Sequence, residues 1–148
     1  MRYANDMPQI ASPPVAADLR VAVMKLARRL RQQLSADDIS TGQYSVLAVL
    51  SARGPRTPRE LADVERVQPP SMTRILTHLA EAGLVDRTDH PDDGRQVLVS
   101  LTAAGQRVVV ETRKRRTAWL AQRMSELSAD ERATLAQASA ILLRLAES

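Results

Sequence analysis

Residues 57–102 read TPRELADVERVQPPSMTRILTHLAEAGLVDRTDHPDDGRQVLVSLT, and the reading of this stretch decides the fold. Thr57-Pro58-Arg59-Glu60 has the form of a capping box. The Thr hydroxyl accepts from the third N–H of a helix, the Glu reaches back, and Pro58 stands where a missing N–H leaves nothing unsatisfied. Leu61 and Val64 give that short helix one apolar side, and Glu65-Arg66 leads into a tight turn. A residue before proline is pushed out of the α region, so Pro69 is predicted as the cap of the next helix and Pro70 as its first residue. Met72, Ile75, Leu76 and Leu79 then recur at i, i+3, i+4 and i+7, one buried stripe. Ser71, Thr73, Arg74, Thr77 and His78 fall mostly off it, with Gln68 at the margin. Short hydrogen-bonding side chains and one Arg are the set that reads base edges and phosphates. Gly83 ends the helix as a left-handed glycine. Residues 84–87 and 96–101 read as strands around the turn-rich loop of residues 89–95. Two helices joined by a turn and followed by a two-stranded wing make a winged helix-turn-helix, a DNA-reading module.

Outward from this module the chain is helical. Residues 1–11 are polar and aperiodic, which predicts a loose arm, and Ser12-Pro13-Pro14 is a helix start. Leu19, Val23, Leu26, Leu30 and Leu34 follow at spacings of four, three, four and four, an amphipathic helix to about Leu34. Ser40-Thr41-Gly42-Gln43 is a second capping box, opening a helix to about Ala52 that Arg53-Gly54-Pro55 ends. Thr102 caps a long helix to about Met124, and Ser128-Ala129-Asp130-Glu131 opens the last, with Leu135, Ala138, Ile141, Leu142 and Leu145 as its stripe. Arg113-Lys114-Arg115-Arg116 is the one dense basic run; consecutive helical residues point in every direction, so it reads as a solvated face before a DNA patch.

Composition narrows the function. Hydrophobic residues make up 44% of the chain, yet aromatics are 2% and Phe is absent, so the core has to be aliphatic. The absence of Cys excludes disulfides, thiolate metal sites and thiol redox sensing. No apolar run approaches the roughly 20 residues of a membrane span, and residues 1–14 carry no apolar h-region, so a cytoplasmic protein without a secretory signal is expected. Net charge is +4, but residues 51–100 hold seven basic and eight acidic side chains, a local balance of −1. Pattern, then, and not charge, marks the DNA module. The acidic loop residues are expected to pair with Arg87 and Arg95.

No catalytic constellation is present, no phosphate loop and no cofactor motif, so no enzyme and no cofactor are expected. His90 among Asp89, Asp92 and Asp93 is a poor metal set. His78 and His90 read as exposed groups on the DNA side.

Several pieces together carry a family resemblance: Glu60-Leu61-Ala62, Ser71-Met72-Thr73-Arg74, Leu79 with Glu81-Ala82-Gly83-Leu84-Val85, Arg87, Asp93-Gly94-Arg95, and Val97-Leu98-Val99 with Leu101-Thr102 and Gly105. Outside them, Ile39-Ser40 and Gln43 fit as well. In that order they resemble the MarR family of bacterial transcriptional regulators. The resemblance implies a mainly α fold with a small two- to three-stranded β wing: a winged helix-turn-helix lobe at residues 40–101, flanked by dimerisation helices at 12–36 and 102–146 of a single domain. It also implies a two-fold homodimer on double-stranded DNA, and a small aromatic or phenolic effector that shifts the spacing of the two lobes. Arg95 is expected in the minor groove with Asp93 helping to hold it, and Tyr44 is a candidate lining residue for the effector pocket. Gly94 stands where relatives often carry a basic residue, and Pro70 where they often carry Ser. The rival reading is a winged-helix protein-interaction module without specific DNA binding, which the −1 balance favours.

Overall fold

The computed structural model describes residues 13–34 and 38–148. The arm expected at residues 1–11, the Ser12 helix start and residues 35–37 lie outside the described residues. In chain order the elements are α1 (Pro13–Arg31), α2 (Thr41–Arg53), α3 (Pro58–Glu65), α4 (Pro69–Glu81), β1 (Val85–Asp89), β2 (Val97–Leu101), α5 (Ala103–Met124) and α6 (Ala129–Glu147).

Hydroxyl caps start four of these helices. Ser40 Oγ accepts from the Gln43 N–H at 3.1 Å, Thr57 Oγ1 from Glu60 at 3.2 Å, Thr102 Oγ1 from Gly105 at 3.0 Å and Ser128 Oγ from Glu131 at 3.1 Å. Gln43, Glu60 and Glu131 return the bond to their caps, so all three capping boxes form. The start of α4 differs from expectation. Gln68 is its cap, Pro69 its first residue and Pro70 its second, and the Gln68 carbonyl accepts from Ser71 and Met72 at 3.0 and 3.2 Å. The pre-proline restriction acts one residue earlier, holding Gln68 extended at ψ 147, while the φ of both prolines already suits a first turn whose N–H groups have no helical partner.

At its other end α4 closes through a Schellman motif. Gly83, at φ 71, donates to the Ala80 carbonyl, and Leu84 donates to Leu79 at 2.9 Å. Leu84 is therefore committed to the helix end, and β1 starts at Val85. α1 ends at Arg31, short of Leu34. Leu34 leaves the helix to pack on the core, and Arg115 Nη1 holds its carbonyl at 2.8 Å.

The wing is antiparallel, with Val85 opposite Leu101, Arg87 opposite Val99 and Asp89 opposite Val97. Arg56 adds an isolated bridge to Val99, exchanging N–H···O bonds of 3.0 and 2.8 Å, which gives the third strand position of the two- to three-stranded wing. Val46, Leu47, Leu61, Met72, Leu76, Leu79, Val99 and Val109 form an aliphatic core with essentially no exposure. Every one belongs to α2 through the first half of α5. Neither α1 nor α6 has a buried residue.

Two close fits generate tests. A Cβ built on Gly105 runs into the Leu84 carbonyl and comes within 2.7 Å of Leu101 Cδ1. Gly105→Ala is expected to lower stability by about 1–3 kcal/mol in urea unfolding, the cost of overpacking a backbone contact that cannot yield. The Glu60 carboxyl titrates below its ordinary 4.5, chiefly because the Thr57 backbone N–H bonds its charged form. A depressed folded value means that this stabilisation is present above the unfolded value and lost as pH falls through the folded one. Glu60→Gln, which keeps the capping geometry, should flatten the acid side of a stability-versus-pH curve; an unaltered curve would remove Glu60 from the acid response.

Candidate nucleic-acid interface

Burial of Met72, Leu76 and Leu79 turns the rest of α4 outward. Ser71, Thr73, Arg74 and His78 are exposed, and Thr77 is half-buried. Two of these are chemically committed. Thr73 Oγ1 donates to the Pro69 carbonyl at 3.1 Å, and Thr77 Oγ1 donates to the Thr73 carbonyl at 2.9 Å. With their protons held by the helix, both hydroxyls face outward as acceptors, which suits the exocyclic amines of adenine or cytosine. Ser71 and Arg74 supply the donors.

His78 has its orientation fixed from α2. Gln43 uses its carbonyl oxygen on the Ser40 N–H, so its Nε2 is the donor toward His78 Nδ1 at 3.3 Å. The neutral imidazole then carries its proton on Nε2. The sequence marked Gln43 as a capping residue and as a piece of the family pattern; only the fold brings it beside His78, 35 positions away.

The wing loop is closed by Asp93, and by a different contact from the one expected. Its Oδ1 accepts the Arg95 backbone N–H at 3.1 Å, and its Oδ2 accepts Gln96 Nε2 at 3.4 Å. The Asp93 carboxylate thus shapes the turn and leaves the Arg95 guanidinium exposed at its tip. The expected ion pairs of Arg87 and Arg95 with loop carboxylates do not form; among the described residues the salt bridge is Lys114 with Glu111 at 3.5 Å. Backbone N–H groups are the nearer partners in a tight turn, and they take the carboxylate. His90 Nδ1 likewise accepts from the Asp92 N–H at 3.1 Å.

Gln68, at the head of α4, is exposed and makes no side-chain cap bond. Tyr44 is buried in the core, with the Arg116 guanidinium 4.3 Å from its ring centroid. A neighbouring cavity of about 660 Å³, between the start of α2, the end of α4 and α5, is lined by Asp38, Ile39, Gln43, His78, Glu81 and Val108 among others, and Tyr44 is not on its wall. The basic run is dispersed as helical geometry requires: Lys114 meets Glu111, Arg115 meets Leu34, and Arg116 lies on Tyr44.

A short helix, a left-handed turn, a second helix with its polar face uncovered and a two-stranded wing define a winged helix-turn-helix protein of the DNA-binding class. Comparison with known proteins narrows the class. The pattern of the MarR family matches residues 39–97. An HTH-type transcriptional regulator of Mycobacterium tuberculosis is 45% identical over 90% of this chain and 93% of its own. The crystal structure of a proposed transcriptional regulator from Pseudomonas aeruginosa superposes with a TM-score of 0.80 at 38% identity, covering 91% of this chain and 96% of that one. A mutant of MarR from Escherichia coli, complexed with operator DNA, matches at 32% identity and a TM-score of 0.60 over 88% and 94% of the two chains. The chain belongs to the MarR family. It is a DNA-binding transcriptional regulator and not an enzyme.

The two groups of side chains are expected to separate in DNA-binding measurements. Arg74→Ala should alter the ranking of base-pair variants of a binding site, by ~1–3 kcal/mol at the affected position. Arg95→Ala should weaken binding to all sequences and reduce the slope of log K against log salt by about one. An Arg95 variant with the wild-type slope would take the wing tip off the DNA.

Proposed function

We propose that the protein works as a homodimer that recognises an inverted-repeat operator, represses transcription from it, and releases it when a small aromatic or phenolic anion binds. The observation that carries DNA reading is the outward polar face of α4: Ser71, Thr73, Arg74 and His78, exposed among the described residues, and the half-buried Thr77, with Gln68 at the head of the helix and Asp93 and Arg95 on the wing.

Dimerisation is supported by the helices that the lobe leaves uncovered. Leu19, Val23 and Leu26 of α1 face Ile141, Leu142 and Leu145 of α6 across an apolar groove of about 320 Å³. Leu19 is 42% exposed, Ile141 50% and Leu145 59%. Contiguous exposed aliphatic rows mark interaction surfaces, and a second copy with the same row would bury both. To read an inverted repeat, such a dimer would hold its two α4 helices about 34 Å apart, one turn of duplex.

An anionic effector is supported by Arg116. Its Nε is buried with no hydrogen-bond partner among the described residues, and its guanidinium lies over the Tyr44 ring. A carboxylate or phenolate would satisfy that donor, and its binding energy would shift the population of lobe spacings.

Footprinting of DNA upstream of the protein's own gene, across a salt series, tests the reading. Protection of an inverted repeat that competitor DNA does not displace is the expected result; weak, uniform binding lost at moderate salt would instead favour the protein-interaction module. Ile141→Glu is expected to yield a monomer in light scattering and to lose paired half-site protection with its lobe still folded. In Arg116→Met, release of DNA by aromatic carboxylates should disappear.

A further inference from the structure

Arg66, which the sequence marks only as leading into a tight turn, has an unusual backbone conformation. Its φ of 53 and ψ of 43 are left-handed, and among the described residues no other non-glycine has a positive φ. The conformation closes α3: the Arg66 N–H donates to the Asp63 carbonyl at 3.3 Å, and Val67 donates to Ala62 at 3.1 Å. Glycine adopts this conformation without the steric penalty that a Cβ brings. The backbone therefore asks for glycine, and the chain supplies a long cation instead. Nothing in the fold compensates, because the side chain is exposed and makes no hydrogen bond or ion pair with another described residue.

The surroundings point to a use for that cation. Arg66 and Arg59 line a groove of about 740 Å³ between α3 and the first turns of α4, with Asp63, Gln68 and Thr73. In most helix-turn-helix proteins a phosphate beside the recognition helix can be met by backbone N–H groups at that helix's start. Here Pro69 and Pro70 remove the first two, and the next two, of Ser71 and Met72, both donate to the Gln68 carbonyl. None of the first four residues of α4 offers a phosphate on this flank a free N–H, so beyond the Gln68 N–H at the cap only side chains remain to hold it.

We propose that Arg66, with Arg59 across the same groove, anchors a DNA phosphate beside the start of α4, in place of the backbone amides that the two prolines remove. The assignment rests on the DNA-reading function of α4. It concerns affinity and register, since phosphates carry no sequence information.

Arg66→Gly separates this role from a structural one. Relief of the left-handed strain should leave the melting temperature unchanged or raise it. Loss of one phosphate contact should weaken binding about eightfold at 0.1 M salt, equally for operator and unrelated duplex, with the difference closing toward 1 M. Arg66→Lys should restore the salt slope. Wild-type binding with an unchanged Arg66→Gly variant overturns this assignment alone. Weaker binding accompanied by a lower melting temperature, or confined to one sequence, overturns it too, in favour of a structural or base-reading role. A wild-type protein that binds no duplex overturns the DNA reading, and this inference with it.

Discussion

Everything outward on this molecule follows from what α4 has to bury. Met72, Leu76 and Leu79 are sealed within the same buried cluster as Leu47, Leu61, Val99 and Val109, and a stripe that deep allows the helix one rotation about its axis. The polar side chains face solvent because those apolar ones cannot. With Phe absent, the seal is made by Leu and Val with Met72 filling between them, and the branched chains fill space in few rotamers. The wing depends on the same seal, since Val99 is at once a core residue, the partner of Arg87 and the bridge to Arg56.

Hydrogen bonds then set the chemistry of the outward face. Thr73 and Thr77 give their protons to the helix backbone, Gln43 orients the His78 ring, and Asp93 fixes the wing turn through the Arg95 amide. Each is a local commitment made before any ligand arrives, so little ordering entropy remains to be lost on binding. The eight acidic residues between 51 and 100 belong partly to this framework. Glu60 caps α3, Glu65 accepts from Ser45 Oγ at 2.9 Å and Asp93 closes the wing, so three carboxylates of the −1 lobe serve the scaffold itself.

The outer helices are built on a different logic. Among the described residues neither α1 nor α6 has a fully buried side chain, though each carries a row of aliphatic residues. α5 joins the two regimes: its first half anchors the lobe through Gly105, Val109 and Thr112, and its second half runs on as an exposed helix toward α6. Under the proposed effector response, α5 is the element that joins Arg116 to the lobe that holds α4.

Local physics was legible in the sequence. Four capping hydroxyls, the left-handed Gly83, the α4 stripe and the antiparallel wing all follow from short-range rules, because each is decided by residues within about one helical turn or one strand pair. Misplacement of the α4 start by one residue was a local error too, arising from a pre-proline rule applied at Pro69 when Gln68 is the residue it restrains. Long-range pairings were not legible. That Gln43 meets His78, that Arg115 reaches Leu34, that Arg116 covers Tyr44 and that Gly105 lies against the Leu84 carbonyl depends on how elements far apart in sequence dock. The turn at Glu65-Arg66 was legible, but its left-handed conformation was not, because no local preference puts Arg there. The sequence by itself determined the elements and the face each one buries, because periodicity and capping are properties of neighbouring residues. Tertiary structure alone decided which side chains meet, because a contact between distant segments is set by the packing of the whole core.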